Sequence, residues 1–280
     1  MVEVVHLLKQ RSRDERQKIK RQYRALFKSE LMEDANKAFK GHDNVLNALL
    51  HLPEDYDAKE LFGSMKGLGT KEATLTEILC SRDNNELQLA SYAYRHWYGK
   101  SLPEDVESEI SGDYKTLLLG LLKANRDEGG RADPGRARTT AEILNDKKHD
   151  EETFESVLTT QSYPQICAIA SEYAQIAGKT FEDGLKKEFG GDAEAAALAI
   201  YKVAESKPNY FAEIIHDSVK KGHTDVLLRV CGSRETKDLP QIKHAFEDHY
   251  KMPMGNFITD YLKDDKVALA RDACLTMLGC

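Results

Sequence analysis

"SRDNNELQLASYAYRHWYGKSL", residues 81–102, decides the fold, because the chain carries it four times in altered form. Laid over "QRSRDERQKIKRQYRALFKSEL" (10–31), it sets Arg82 on Arg11, Tyr94 on Tyr23, Tyr98 on Phe27 and Leu102 on Leu31 at one constant spacing. "TQSYPQICAIASEYAQIAGKTF" (160–181) brings Tyr173 to Tyr94 and Gly178 to Gly99, with Gln161 in place of the arginine. "SRETKDLPQIKHAFEDHYKMPM" (233–254) restores Arg234 and puts Phe246 and Tyr250 at the two aromatic positions. None of these windows needs a gap. Repetition at this length marks an array of supersecondary units that bury their faces against neighbours.

Inside a copy the periodicity is helical. Leu75, Ile78 and Leu79, then Leu87, Ala90, Tyr94 and Trp97, recur at three- and four-residue steps. Residues 81–85 break one helix from the next, "YGKSLPED" (98–105) ends the second, and "ISGDYK" (110–115) precedes an apolar run. Each unit of about 70 residues therefore holds four or five short helices and no strand, so the fold is expected to be all-α. Trp97 and the recurring tyrosines read as core. The Gly- and Arg-rich stretch 125–139 reads as a loop dividing the chain into halves. The copies span 1–52, 53–126, 127–208 and 209–280. By alignment Met1 falls on Glu72, so the first copy lacks its opening helix and loop. That leaves two readings, a piece of a longer chain or a protein with an exposed helical seam.

Composition narrows the function. A hydrophobic share of 41% with 31% charged residues suits a globular protein with a core. No apolar run approaches the roughly 18 residues of a membrane span, and the N-terminus does not read as a signal peptide. Five cysteines without CxxC spacing favour reduced thiols in the cytosol. A net charge of −7 argues against nucleic acid, and against adhesion to an anionic membrane without a cation between them. There is no HExxH spacing, nucleophile motif or P-loop, so no enzymatic activity is expected. Arg11, Arg82 and Arg234 sit at helix junctions, where a guanidinium can satisfy carbonyl ends.

One loop stands out. "MKGLGTKE" (65–72) joins two helices. It can be read as a connection, with Gly67 or Gly69 as a left-handed cap and Thr70 as the next N-cap. It can also hold an ion, since closely spaced glycines let successive carbonyls face one space. Glu109, near the end of a helix that Gly112 closes, faces the negative end of the helix dipole, and a cation there removes the penalty. Carbonyls, one carboxylate and water form a hard-oxygen set suited to Ca²⁺.

The repeat, with "MKGLGTKEATLTEIL", "SRDNNEL", "YGKSL" and "ESEISGDY", resembles the annexin family over nearly the whole chain. That resemblance implies four repeats of about five helices in a curved disc, the first incomplete. It implies Ca²⁺ held by the carbonyls of Met65, Gly67 and Gly69 with Glu109 as bidentate ligand, and an accessory site from the Thr70 carbonyl and Glu72. Bound ions would bridge to acidic phospholipid, making the chain a cytosolic peripheral membrane protein. The alternative is a degenerate helical scaffold for cytoskeletal or other cytosolic proteins, or for membranes through basic loops.

The other copies depart from the motif. Ala38 stands where Glu109 would be in the first. In the third, Lys147, Lys148 and His149 replace the glycines, while Asp150 and Glu151 form a candidate minor site and Glu188 matches Glu109. In the fourth the loop is shorter, keeps only Gly222, and has Tyr261 at the acid position with Asp260 and Asp264 nearby. Lys66, Lys147, Lys148, His149, Lys220, Lys221 and His223 are candidate headgroup contacts.

Overall fold

The computed structural model describes residues 2–39, 43–67, 69–146 and 151–280, the side chains of Asp43 and Glu151 excepted. It is 80% helical, with no strand among the described residues. The first copy holds α1 (Val2–Lys9), α2 (Arg13–Phe27), α3 (Leu31–Ala38) and α4 (Asp43–Leu50). The second holds α5 (Pro53–Met65), α6 (Glu72–Ser81), α7 (Asn84–Tyr98), α8 (Leu102–Glu109) and α9 (Gly112–Leu122). Next come α10 (Pro134–Asn145), α11 (Glu151–Thr160), α12 (Tyr163–Ala177), α13 (Phe181–Glu188) and α14 (Gly191–Lys221). Last are α15 (Thr224–Arg234), α16 (Leu239–Tyr250), α17 (Met254–Tyr261) and α18 (Ala268–Leu278). α14 is two helices joined at a kink, where Ser206 leaves helical dihedrals (φ −164°, ψ 103°) just ahead of Pro208.

Residues 1–56 with 208–280 form one compact unit, and 57–207 form another. In the first, α4 packs on α15 while α1 and α15 pack on α18. Gly232 of α15 meets Ala48 so closely that any added Cβ would collide with it. In the second unit α10 packs along α12 and α9 packs against α6, α8 and α11.

The stretch 125–139 does not divide the chain; it lies inside the second unit. Arg126 is the reason. Its buried guanidinium donates to the carbonyls of Leu158 (2.6 Å) and Gln161 (2.7 Å), and Asn84 brackets its backbone. A basic side chain from the linker thus satisfies the helix end where Gln161 has replaced the repeated arginine. The loop also stops sooner than its composition suggests, because Asp133 caps α10 by accepting from the Arg136 amide at 3.0 Å.

The copies share their punctuation. Ser12, Asp83 and Ser162, at equivalent positions, cap α2, α7 and α12, the first two as full capping boxes with Glu15 and Glu86. Lys28, Gly99, Gly178 and Lys251, again equivalent, end the same helices in the left-handed conformation. Asp83→Ala should cost about 0.5–2 kcal/mol in urea unfolding. Ser101→Ala, at a helix start where the side chain caps nothing, should stay within about 0.5 kcal/mol.

One contact shows how the copies drift. Tyr23 donates to Asp34 (3.0 Å) and Tyr94 to Asp105 (2.7 Å). In the third copy the acid position is Gly184, and the Tyr173 hydroxyl fills the space a Cβ there would need. In the fourth the pair is Phe246 against Phe257, with ring centroids 5.2 Å apart. Each solution keeps the same two helices in register with different chemistry.

Candidate functional site: the loop at residues 65–72

α5 ends at Met65, and Gly67 (φ 118°) and Gly69 (φ 85°) both take left-handed backbone conformations. Nothing lies within 4 Å of a Cβ built at either glycine, so conformation rather than space demands glycine there. The loop is closed at its base by the Lys71 amide, which donates to the Ser64 carbonyl at 2.8 Å. Ser64 is itself buried and donates its hydroxyl to the Leu61 carbonyl at 2.7 Å. Gly67 and Gly69 are exposed, while Leu68 lies outside the described residues. Thr70 is not the N-cap of α6. That position is Lys71, and no side chain caps the helix. The Lys66 ammonium lies 5.5 Å from the centre of the Phe62 ring.

Glu109 is the exposed last residue of α8, and Gly112 (φ 63°) opens α9 just beyond it. A cleft of about 370 Å³ forms there, and Glu72, Glu109, Ser111, Asp113 and Asp192 are among its lining residues. The structure therefore brings Glu72 and Glu109 to one cleft, whereas Met65, Gly67 and Gly69 are not part of its lining. Tyr114 is the lock. Its hydroxyl donates to the Glu72 carbonyl at 2.9 Å and hydrogen-bonds the Thr76 hydroxyl at 3.0 Å. Burial raises the Tyr114 pKa, keeping it a neutral donor. The sequence alone does not single out this residue, which "SGDYK" places five residues after Glu109.

Among the described residues, none of Glu72, Glu109, Asp113 or Asp192 enters a salt bridge. Nor do any three His, Cys, Asp or Glu side chains form a metal cage there. A cation there would consequently need further oxygens beside the carboxylates, and Met65, Gly67 and Gly69 are not among the cleft's lining residues. Carboxylate oxygens are themselves donors of the kind a hard divalent ion takes.

Elsewhere the candidates separate. Lys147, Lys148, His149 and Asp150 lie outside the described residues, as does the side chain of Glu151, which opens α11. Glu188 ends α13 as Glu109 ends α8, followed by buried Phe189 and left-handed Gly191. In the fourth copy Lys220 and Lys221 belong to the last turn of α14, and both are exposed, as is His223. The His223 amide closes onto the Ser218 carbonyl at 2.8 Å, the Lys71–Ser64 bond reproduced in a shorter loop. Asp260 is exposed on α17, but the Asp264 carboxylate is engaged by the Lys266 amide at 2.9 Å.

Two readings of structural residues need correction. Trp97 is not core but 58% exposed, set against His96. The repeated arginines do not cap carbonyl ends. Arg82 grips Asp57 through two 2.8 Å bonds, Arg234 grips Asp238, and Arg11 is exposed.

No helix among the described residues is long and apolar enough to cross a membrane. A sequence model of the annexin family matches residues 56–121 and 137–200. Annexin A3 of Mus musculus is 39% identical over 255 residues, covering 88% of this chain and 79% of its own. The solved structure of annexin III superimposes with a TM-score of 0.90 at 33% identity, over 99% of this chain and 87% of that one. Calcium-bound annexin (Sm)1 gives a TM-score of 0.82 at 26% identity, over 99% and 84%. With whole-chain likeness added to four helical copies and the glycine loop, the chain belongs to the annexin family.

Proposed function

We propose that this chain binds acidic phospholipid membranes in a calcium-dependent manner, through the loop at 65–72. The observation that carries the reading is an exposed two-glycine loop, closed by Lys71 on Ser64, in the same repeat as a cleft whose carboxylates enter no salt bridge among the described residues. Family membership supports it, as does a structural neighbour described as calcium-bound. The carbonyls of Met65, Gly67 and Gly69 with the carboxylate of Glu109 would hold Ca²⁺, and the Thr70 carbonyl with Glu72 an accessory ion. When bound, the ion supplies positive charge and open coordination positions that a phosphate oxygen can fill. The protein's own part is to fix the loop conformation, keep Glu109 exposed, and hold α6 in place through Tyr114. No catalytic step enters, and the protein acts as a peripheral component at the cytosolic face of its membrane.

Exposed Lys220, Lys221 and His223 support a weaker, calcium-independent contribution to the same surface. Co-sedimentation with phosphatidylserine vesicles separates the terms. With calcium the protein should pellet with the vesicles, and with chelator most of it should stay in the supernatant. Equal recovery under both conditions would overturn the reading.

A further inference from the structure

α2 and the residues beside it are basic in a chain that is acidic overall. Between residues 11 and 28 eight Lys or Arg stand against two acids, whereas the whole chain carries a net charge of −7. Part of that positive charge is used inside the fold. Arg16 is buried on Glu235 at 3.0 Å, Arg13 donates to the Thr236 hydroxyl, and Lys20 is half-buried. Lys18, Arg21 and Lys28 are exposed and enter no salt bridge among the described residues. Arg24, beside them, pairs with Glu30 at 3.0 Å, and both side chains reach solvent.

At about 100° per residue, Lys18, Arg21, Arg24 and Lys28 fall within about one third of the circumference of α2, over about 15 Å of its length. The other copies show that this face stays in solvent where a copy has its opening helix. Tyr92, Ser171 and His244 stand where Arg21 does, Gly99, Gly178 and Lys251 stand where Lys28 does, and all six are exposed. In the second copy α5 packs on the other side of α7, its Phe62 ring stacked on Tyr98 with centroids 3.8 Å apart. Tyr92 nevertheless remains 75% exposed, and Leu89, the match of Lys18, 42%. A helix seated on the first copy in the same way would leave Lys18, Arg21 and Lys28 in solvent. Nor does the fold demand cations there, since tyrosine, serine, histidine and glycine serve at the matching positions.

The strip is bounded by acids. Asp14 lies on the same face one turn before Lys18, and Glu30 and Glu33 follow beyond Lys28. A long polyanion or a charged membrane would meet those acids and the rest of a negative chain, whereas a short segment meets the cations alone. Any two helices share one rise per turn, so glutamates three and four apart on a partner helix come opposite these cations turn by turn. We propose that this face of α2 docks an acidic helical segment of a partner polypeptide, with carboxylates set on Lys18, Arg21 and Lys28. Complementary charge speeds the encounter and fixes the register more than it adds affinity, and the contact is sensitive to salt.

The test uses the full chain and a fluorescent, end-capped helical peptide as long as α2, 15 residues, with glutamates three and four apart and alanine or glutamine elsewhere. Anisotropy in about 0.01 M salt should show saturable binding. It should weaken at least fivefold at about 0.1 M, as the Debye length falls from about 30 Å to about 10 Å. At low salt, affinity should fall at least tenfold when the protein carries Lys18→Gln, Arg21→Gln and Lys28→Gln together. It should fall as far when glutamine replaces the glutamates of the peptide. All three protein positions are exposed, so circular dichroism melts should match the parent chain. Absence of saturation by about 1 mM peptide, or affinity indifferent to these changes, overturns the proposal. So does pelleting with phosphatidylserine vesicles in chelator that the triple variant abolishes, in a chain that binds no peptide, because a lipid surface would then be the occupant.

Discussion

Arg82→Ala should destabilise the protein by about 3–5 kcal/mol, among the largest losses available to a single side-chain change here. Arg82 is 3% exposed and Asp57 4% exposed. Nε and Nη2 each donate to one Asp57 oxygen at 2.8 Å, and Nη1 donates to the Ser81 hydroxyl at 2.7 Å. Burial alone would lower the Arg82 pKa, but the adjoining Asp57 carboxylate outweighs it and holds the guanidinium charged. Alanine removes that partner and leaves a carboxylate in the interior without compensation. Replacing both members with apolar residues, Arg82→Met with Asp57→Leu, should recover most of the loss, since no lone charge then remains. Arg11→Ala, at the aligned but exposed position, should change stability by no more than about 0.5 kcal/mol. Urea unfolding of the three variants checks all of this. A loss under about 1 kcal/mol for Arg82→Ala would show that the pair is not what joins α5 to the end of α6.

The second large effect is functional. Glu109→Gln keeps the shape of an exposed side chain and removes its charge, so folding should be preserved to within about 0.5 kcal/mol. Calcium-dependent vesicle binding should weaken at least tenfold, because a bidentate carboxylate is the only charged ligand assigned to the main site. Glu188→Gln, at the same place on α13 but in the copy whose loop has lost its glycines, should leave the calcium requirement unchanged.

Much of this arrangement is legible in the sequence because helices punctuate themselves locally. Ser12, Asp83 and the glycines at 99 and 178 state where helices start and stop, and repetition fixes their order. What escapes is long-range. Nothing near Gln161 says that Arg126 will bind the carbonyls of Leu158 and Gln161, for that contact depends on how the linker folds back. Likewise Asp57 pairs with Arg82 across the intervening loop, a contact that periodicity does not specify. Trp97 continues the step of Leu87, Ala90 and Tyr94, yet near the helix end it is left 58% exposed, while the next residue, Tyr98, takes the stacking contact with Phe62. The 125–139 stretch looks like a divider by composition, and Arg126 with Asp133 ties it down instead.

For the site, the sequence indicates the two-glycine loop and its distant glutamate, and the structure adds the parts that hold them. Tyr114 spans from α9 to the first turn of α6, and Lys71 closes the loop on Ser64. Neither bond has a sequence motif of its own. The shorter loop of the fourth copy keeps the closure through His223 but has one glycine, and its acid position is Tyr261. Closure is therefore a property of the fold, whereas the paired glycines and Glu109 together belong to the second copy alone among the described loops.

The central claim is that this one loop carries calcium-dependent attachment. It is tested most directly by titrating calcium against binding to phosphatidylserine vesicles for the parent chain and Glu109→Gln side by side. The account predicts a saturable, chelator-reversible curve for the parent and a midpoint at least tenfold higher, or no binding, for the variant. Superimposable curves would contradict it.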